Sequence, residues 1–139
     1  MTIVQLSVFL ENRSGTLIKV LEVLKEAQIQ IIASCIADTA EYGIYRLICS
    51  EPQRACEELK RAGVPVSLSN VFALQLDNQP GRAAEAIEAF SQAGISIAYL
   101  YSFLMGGKGI LIFRTDDEER ARETILANQL SYLTEAELS

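Results

Sequence analysis

The hydrophobic pattern changes period several times along the chain, and each change marks an element. Ile3 to Leu10 is rich in Ile, Val, Leu and Phe and predicts a strand. Glu11-Asn12-Arg13-Ser14-Gly15 carries turn residues. Leu17, Val20, Leu21 and Leu24 then recur at i, i+3, i+4 and i+7, which predicts a helix with one apolar face. Ile29 to Ala37 predicts a second strand, Glu41-Tyr42-Gly43 a hairpin turn, and Ile44 to Cys49 a third strand. Pro52 suits the first turn of a second helix, with Ala55, Leu59 and Ala62 on its apolar side. Val64 to Leu68 closes a β-α-β-β-α-β unit.

The same order then returns. Val71 to Leu76 predicts a strand and Asp77-Asn78-Gln79-Pro80-Gly81 a turn. The next helix is expected to point Ala83, Ala86, Ile87 and Phe90 inward. Ile95 to Leu104 predicts a long strand, Gly106-Gly107-Lys108-Gly109 a hairpin loop, and Ile110 to Arg114 its partner strand. Asp116-Asp117-Glu118-Glu119 opens a further helix, with acids where the macrodipole favours them. Leu130 to Leu133 is the expected last strand.

This second pass is a repeat of the first. Shifted by 66 positions, the chain aligns with itself without a gap: Gly15 falls on Gly81, and Gly43 on Gly109. Asn12 falls on Asn78, Ala27, Ile29 and Ile31 on Ala93, Ile95 and Ile97, and Arg54 and Ala55 on Arg120 and Ala121. The expected fold class is α+β: two ferredoxin-like βαββαβ units in tandem, residues 1–69 and 70–139. Each has an antiparallel sheet with helices on one face. Only Ser69 and Asn70 are left between the copies. A unit of about 65 residues buries a limited core, so the copies are expected to pair into one larger sheet.

Composition narrows the chemistry. The net charge is −6 over 139 residues and the basic residues are scattered, which argues against a nucleic-acid partner. No apolar run is long enough for a membrane span, and no signal peptide is visible at the N-terminus. Cys35, Cys49 and Cys56 lack metal-ligand spacing and fit reduced thiols in a cytoplasmic protein. Histidine is absent, which removes the commonest general base and metal ligand. No nucleophile elbow, Cys–His pair or metal cluster stands out, so no catalytic residue, metal or cofactor is expected.

The two strand-to-helix loops carry the most information. One runs Glu11-Asn12-Arg13-Ser14-Gly15-Thr16-Leu17, the other Asp77-Asn78-Gln79-Pro80-Gly81-Arg82. A glycine at a helix start admits a ligand to the backbone, and the first-turn N–H groups suit a carboxylate. Asn offers donor and acceptor, and an acid can accept from an ammonium group. Asn and Gly are also ordinary turn and cap residues. Alternation puts Tyr99, Tyr101 and Phe103 on one strand face, where they can line a pocket or pack against neighbouring structure.

A βαββαβ unit with a Glu/Asp-Asn-x-x-Gly loop resembles the ACT domain, a regulatory module that binds amino acids. Val8 to Leu17 is similar to the start of acetolactate synthase regulatory subunits, and Asp77 to Gly81 to the Asp-x-x-Pro-Gly form of ACT domains. The resemblance covers nearly the whole chain. It implies a non-catalytic amino-acid sensor, with branched-chain or aromatic ligands, a metabolic enzyme as partner and a homodimer. It also implies that each loop faces the second strand of a neighbouring unit. The family often has Asn there; this chain has Gln30 and Ser96. That departure leaves open an interaction subunit whose ligand sites have been lost.

Overall fold

The computed structural model describes residues 1–11, 13–38 and 42–138. Asn12, and Glu41 of the expected first hairpin turn, lie outside the described residues. The chain divides into two units, one of residues 4–69 and one of residues 70–138 joined by Met1–Ile3.

The first unit is built from β1 (Ile3–Leu10), α1 (Arg13–Glu26), β2 (Ile31–Asp38), β3 (Gly43–Cys49), α2 (Pro52–Arg61) and the start of β4 (Val66–Asp77). Its strands are ordered β2-β3-β1-β4, with β1 and β2 both antiparallel to β3. Leu6, Val8 and Leu10 of β1 point to the same face as Tyr45, Leu47 and Cys49 of β3. That face is covered by Val20 and Leu24 of α1 and by Ala55 and Leu59 of α2. Pro52 stands in the first turn of α2, where its missing N–H has no helical partner to lose.

The second unit uses the rest of β4, α3 (Arg82–Gln92), β5 (Ile97–Met105), β6 (Lys108–Thr115), α4 (Glu118–Ala127) and a short α5 (Glu135–Leu138). Its strand order is β4-β6-β5. Its core occupies positions shifted by 66 from the first: Phe72, Leu74, Ala86, Phe90, Leu111, Phe113, Ala121 and Ile125. Three leucines of the first core, Leu6, Leu24 and Leu47, become Phe72, Phe90 and Phe113. The rings pack on one another, Phe113 stacking on Phe72 at 5.7 Å and meeting Phe90 edge-on at 5.1 Å. Room for them comes partly from Ala86 in place of Val20 and Leu111 in place of Tyr45.

The helix ends repeat as well. After α1, α2, α3 and α4 the chain passes through Gln28, Gly63, Gly94 and Gln129, all at positive φ between 54° and 80°. The following amides of Ile29, Val64, Ile95 and Leu130 reach back to carbonyls five residues earlier, at 2.9–3.0 Å. This is the Schellman termination, which satisfies carbonyls a helix end would otherwise leave unpaired.

Three expectations need correction. The segment 130–133 is not a full strand: it forms an isolated bridge between Leu74 and Tyr132, with hydrogen bonds Gln75 N–H to Ser131 and Leu133 N–H to Ala73. The chain leaves the sheet at once for α5, which the hydrophobic pattern did not suggest. Ser69 and Asn70 are not a break between strands but lie within β4. Ala83 does not point into the core; it is exposed, because the first turn of α3 overhangs an uncovered part of the sheet.

Cys49 and Cys56 are buried and Cys35 is half-buried, and none of the three is joined in a disulfide among the described residues. Burial pushes the Cys35 thiol up, against the opposing charge and hydrogen bond of Arg46. Among the described residues no helix is long and apolar enough to cross a membrane, and no cluster of three metal-ligating side chains is present.

Candidate functional site

β4 ends at Asp77, opposite Lys108, and Lys108 also pairs with Met105 of β5. The loop after β4 therefore sits at the end of the sheet where the Gly106-Gly107 turn joins β5 to β6. Gly81 caps α3 with φ 88°. An L side chain rarely adopts that conformation, and nothing lies within 4 Å of where a Cβ would stand. The first i to i−4 bond of α3 runs from Glu85 N–H to Gly81, 3.0 Å, so the amides of Ala83 and Ala84 precede it.

Around this loop lies a cleft of about 420 Å³. Its rim is polar, with Asp77, Asn78, Gln79, Arg82 and Ser102, and its floor apolar, with Leu76, Leu100, Phe103, Leu104, Gly109, Ile110 and Leu111. Asp77 Oδ1 accepts from Lys108 Nζ at 2.7 Å. That hydrogen bond and charge, with a smaller contribution from Arg82, hold its carboxyl below the usual range, so it is ionised at neutral pH. The Arg82 guanidinium donates to Gln79 Oε1 at 3.1 Å and to Glu85 at 3.1 and 3.2 Å. Its Nε is buried without a hydrogen-bond partner among the described residues. An anionic and a cationic side chain thus share the rim of one apolar cleft.

The first loop is arranged differently. Gly15 is not a cap but the third residue of α1, which begins at Arg13. The counterpart of Ser14 in the second loop is Pro80, which lies outside the helix, and α3 begins two residues later. Glu11 and Thr16 line a smaller cleft of about 270 Å³ with Phe9, Lys19, Gly63, Val64 and Pro65. That cleft opens beside the start of β4, not beside β2. Ser14 is exposed and Leu17 packs on the helix-side core.

Gln30 and Ser96 occupy equivalent positions. Gln30 N–H donates to Ser50 Oγ and Ser50 N–H to the Gln30 carbonyl; Ser96 and Asp116 make the same reciprocal pair. Both stand just before the first residue of their strand, at the end of the sheet remote from their own copy's loop. Within a unit, therefore, neither is brought to that loop. In the second loop Gln79 is exposed at the rim of the cleft, and Pro80 is exposed without lining it.

Sequence reasoning did not single out Leu100, Ser102, Leu104, Gly109 or Leu111. The signal was present: the alternation that groups Tyr99, Tyr101 and Phe103 puts Leu100, Ser102 and Leu104 on the opposite face. That opposite face carries most of the cleft; of the aromatic row Phe103 lines it, and Tyr99 and Tyr101 do not.

The architecture and the 66-residue repeat match a known arrangement. A family model for a pair of ACT domains matches residues 1–139. The chain belongs to the ACT domain pair family. Protein BT0572 from Bacteroides thetaiotaomicron is 34% identical, with a TM-score of 0.94 covering 99% of this chain and 96% of its own. The ACT fold is shared at lower identity by the regulatory subunit of aspartate kinase from Thermus thermophilus, 16% identical with a TM-score of 0.66, covering 91% of this chain and 90% of that one. The corresponding subunit from Thermus flavus is 16% identical, with a TM-score of 0.60 and coverages of 89% and 90%. No match was found among curated proteins.

Proposed function

We propose that this ACT domain pair is a non-catalytic regulatory protein of amino-acid metabolism that binds a free amino acid at the second loop. The observation that carries the reading is that ionised Asp77 and Arg82 both line the rim of one cleft, beside the first turn of α3. A zwitterion needs both signs within a few ångströms. The amides of Ala83 and Ala84, with the Arg82 guanidinium, suit its carboxylate. Asp77 and the Asn78 carbonyl suit its ammonium group. Gln79, Pro80 and Gly81 shape the loop that holds these groups in place. The Thermus subunits are regulatory by name, and the same broad role is proposed here.

The first loop, with Glu11, Asn12, Arg13, Ser14, Gly15, Thr16 and Leu17, is proposed as a second, different ligand position, since its cleft is smaller and lined otherwise. Gln30 and Ser96 would serve only across a unit boundary. Binding would shift the population of a state recognised by a partner enzyme. A cytoplasmic location, a homodimer and a metabolic enzyme partner complete the proposal; the exposed apolar side chains Ile18, Ile36 and Leu126 support the protein partners.

A thermal-shift screen against the twenty amino acids tests this. A ligand that binds only the folded state raises the melting temperature by mass action. The expected result is a rise with one related group of amino acids that disappears in Asn78→Ala together with Arg82→Ala. A flat response at millimolar concentrations counts against the sensor and for an interaction subunit that binds an enzyme without a small ligand.

A further inference from the structure

Both charges on the rim of the second cleft are already held by side chains of the same unit. Lys108 Nζ donates to Asp77 Oδ1 at 2.7 Å, and Glu85 accepts from Arg82 Nη1 with both carboxylate oxygens, at 3.1 and 3.2 Å. Arg82 Nη2 is engaged by Gln79. An ammonium group on the acid and a carboxylate on the guanidinium are the two ends of an α-amino acid, supplied here by the protein itself. The first unit is built otherwise. At the positions equivalent to Lys108, Arg82 and Glu85 it has Tyr42, Thr16 and Lys19, which cannot form these pairs. Tyr42 stacks instead on Phe9, with ring centroids 4.3 Å apart, a contact with which no ligand charge competes. The two internal charge pairs thus belong to the copy that carries the larger cleft.

We propose that Lys108 and Glu85 are built-in competitors at the second loop, which a free amino acid displaces in order to bind. This rests on the reading above that the loop binds an amino acid. A ligand ammonium at Asp77 meets the like charge of Lys108, and a ligand carboxylate at Arg82 meets that of Glu85. The four side chains are between 39% and 67% exposed, so each pair is weak enough to exchange. The competitors raise the concentration at which the site fills without closing it. Displacement also changes the protein. Lys108 follows the Gly106-Gly107 turn, and its bond to Asp77 ties that hairpin to the end of β4. The turn glycines stand at φ 58° and 78° and bring no side chain of their own to anchor it. Freeing Lys108 loosens the turn while the β4–β6 ladder stays paired, and this links occupancy of the loop to the hairpin.

The test is calorimetry on the whole chain with each of the twenty amino acids, repeated with Lys108→Met and Glu85→Gln, and followed by amide hydrogen exchange with and without any amino acid that binds. Both substituted side chains are exposed, so the variants are expected to keep the fold. Each variant is expected to bind the same amino acid about two- to fivefold tighter than the unaltered chain does. Exchange at Gly107 and Lys108 is expected to quicken when the unaltered chain binds. In Lys108→Met it is expected to be quick from the start and indifferent to the ligand, a readout that a mere change of net charge would not produce. Affinity unchanged or weakened in both variants, or a hairpin whose exchange ignores the ligand in the unaltered chain, would overturn the competitors while leaving the amino-acid sensor standing. No binding of any amino acid by the unaltered chain or by either variant would overturn both.

Discussion

Arg120 donates a hydrogen bond from Nη2 to the carbonyl oxygen of Ala93, the residue that closes α3. In the other copy Arg54, on α2, does the same to Ala27, just past the end of α1. In each unit the second helix therefore sends a cation to the negative end of the first, which satisfies an orphan carbonyl and complements the macrodipole. Arg54→Ala and Arg120→Ala are each expected to cost about 1 kcal/mol in urea denaturation, the range of a partly exposed charged hydrogen bond. Lysine at either position should recover part of it. A loss below a few tenths of a kcal/mol in both would mean the contact is only a surface feature.

Gln28 and Gln129 hold the left-handed positions that Gly63 and Gly94 hold in the other two helix ends. An L residue there is strained, and the strain exceeds the extra unfolded-state freedom of glycine. Gln28→Gly and Gln129→Gly are each expected to stabilise the chain by about 0.5–1 kcal/mol, and Gly94→Ala to destabilise it by about 1 kcal/mol. Thermal denaturation reads the sign directly. Destabilisation by both glycine variants would contradict the Schellman account of these ends.

The cluster Phe72–Phe90–Phe113 makes the second core the more sensitive to truncation of its rings. Phe113→Leu is expected to cost roughly 1–2 kcal/mol, and Phe90→Leu a similar amount. Because the rings touch, the double variant should depart from the sum. Additive losses would show that the rings act only through the area each buries.

The twinned cores show what hydrophobic pattern carries and what it does not. Strand and helix faces follow from alternation and from the i, i+3, i+4 spacing, because burial selects side-chain type directly. Nearly every core position recurs at the same offset, so the repeat was legible from the residues. Three features were not. Segment 130–133 has a strand's composition, yet only a bridge forms before the chain turns into α5. Ala83 has a core residue's type but an alanine at a helix start is as much at home over an open cleft. The asymmetry between Gly15 and Gly81 depends on where each helix begins, which the shared loop motif does not specify; Pro80 in place of Ser14 is the local difference. The cleft itself was half legible. The loop announced the polar rim, whereas the floor requires knowing which face of β5 lies under α3.

Asp77 should govern how the second cleft responds to acid. Its folded-state pKa lies below the ordinary value through Lys108, so its stabilising interaction is present at neutral pH. That interaction is lost as pH falls below the usual Asp range near ~3.9 and through the lowered value. Lys108→Gln is expected to return the carboxyl toward its ordinary pKa, read by NMR titration. The acid limb of ligand affinity should move up in pH with it. An unchanged Asp77 titration in that variant would remove Lys108 as the cause.

The central claim is that the Asp77–Arg82 loop and the floor beside it take an amino acid. An NMR titration of the isotopically labelled chain with leucine tests it most directly. Saturable amide shifts concentrated at Asn78, Gly81, Arg82, Leu104 and Gly109 are the predicted result. Shifts absent at saturating leucine, or confined to residues away from this loop, would contradict the account.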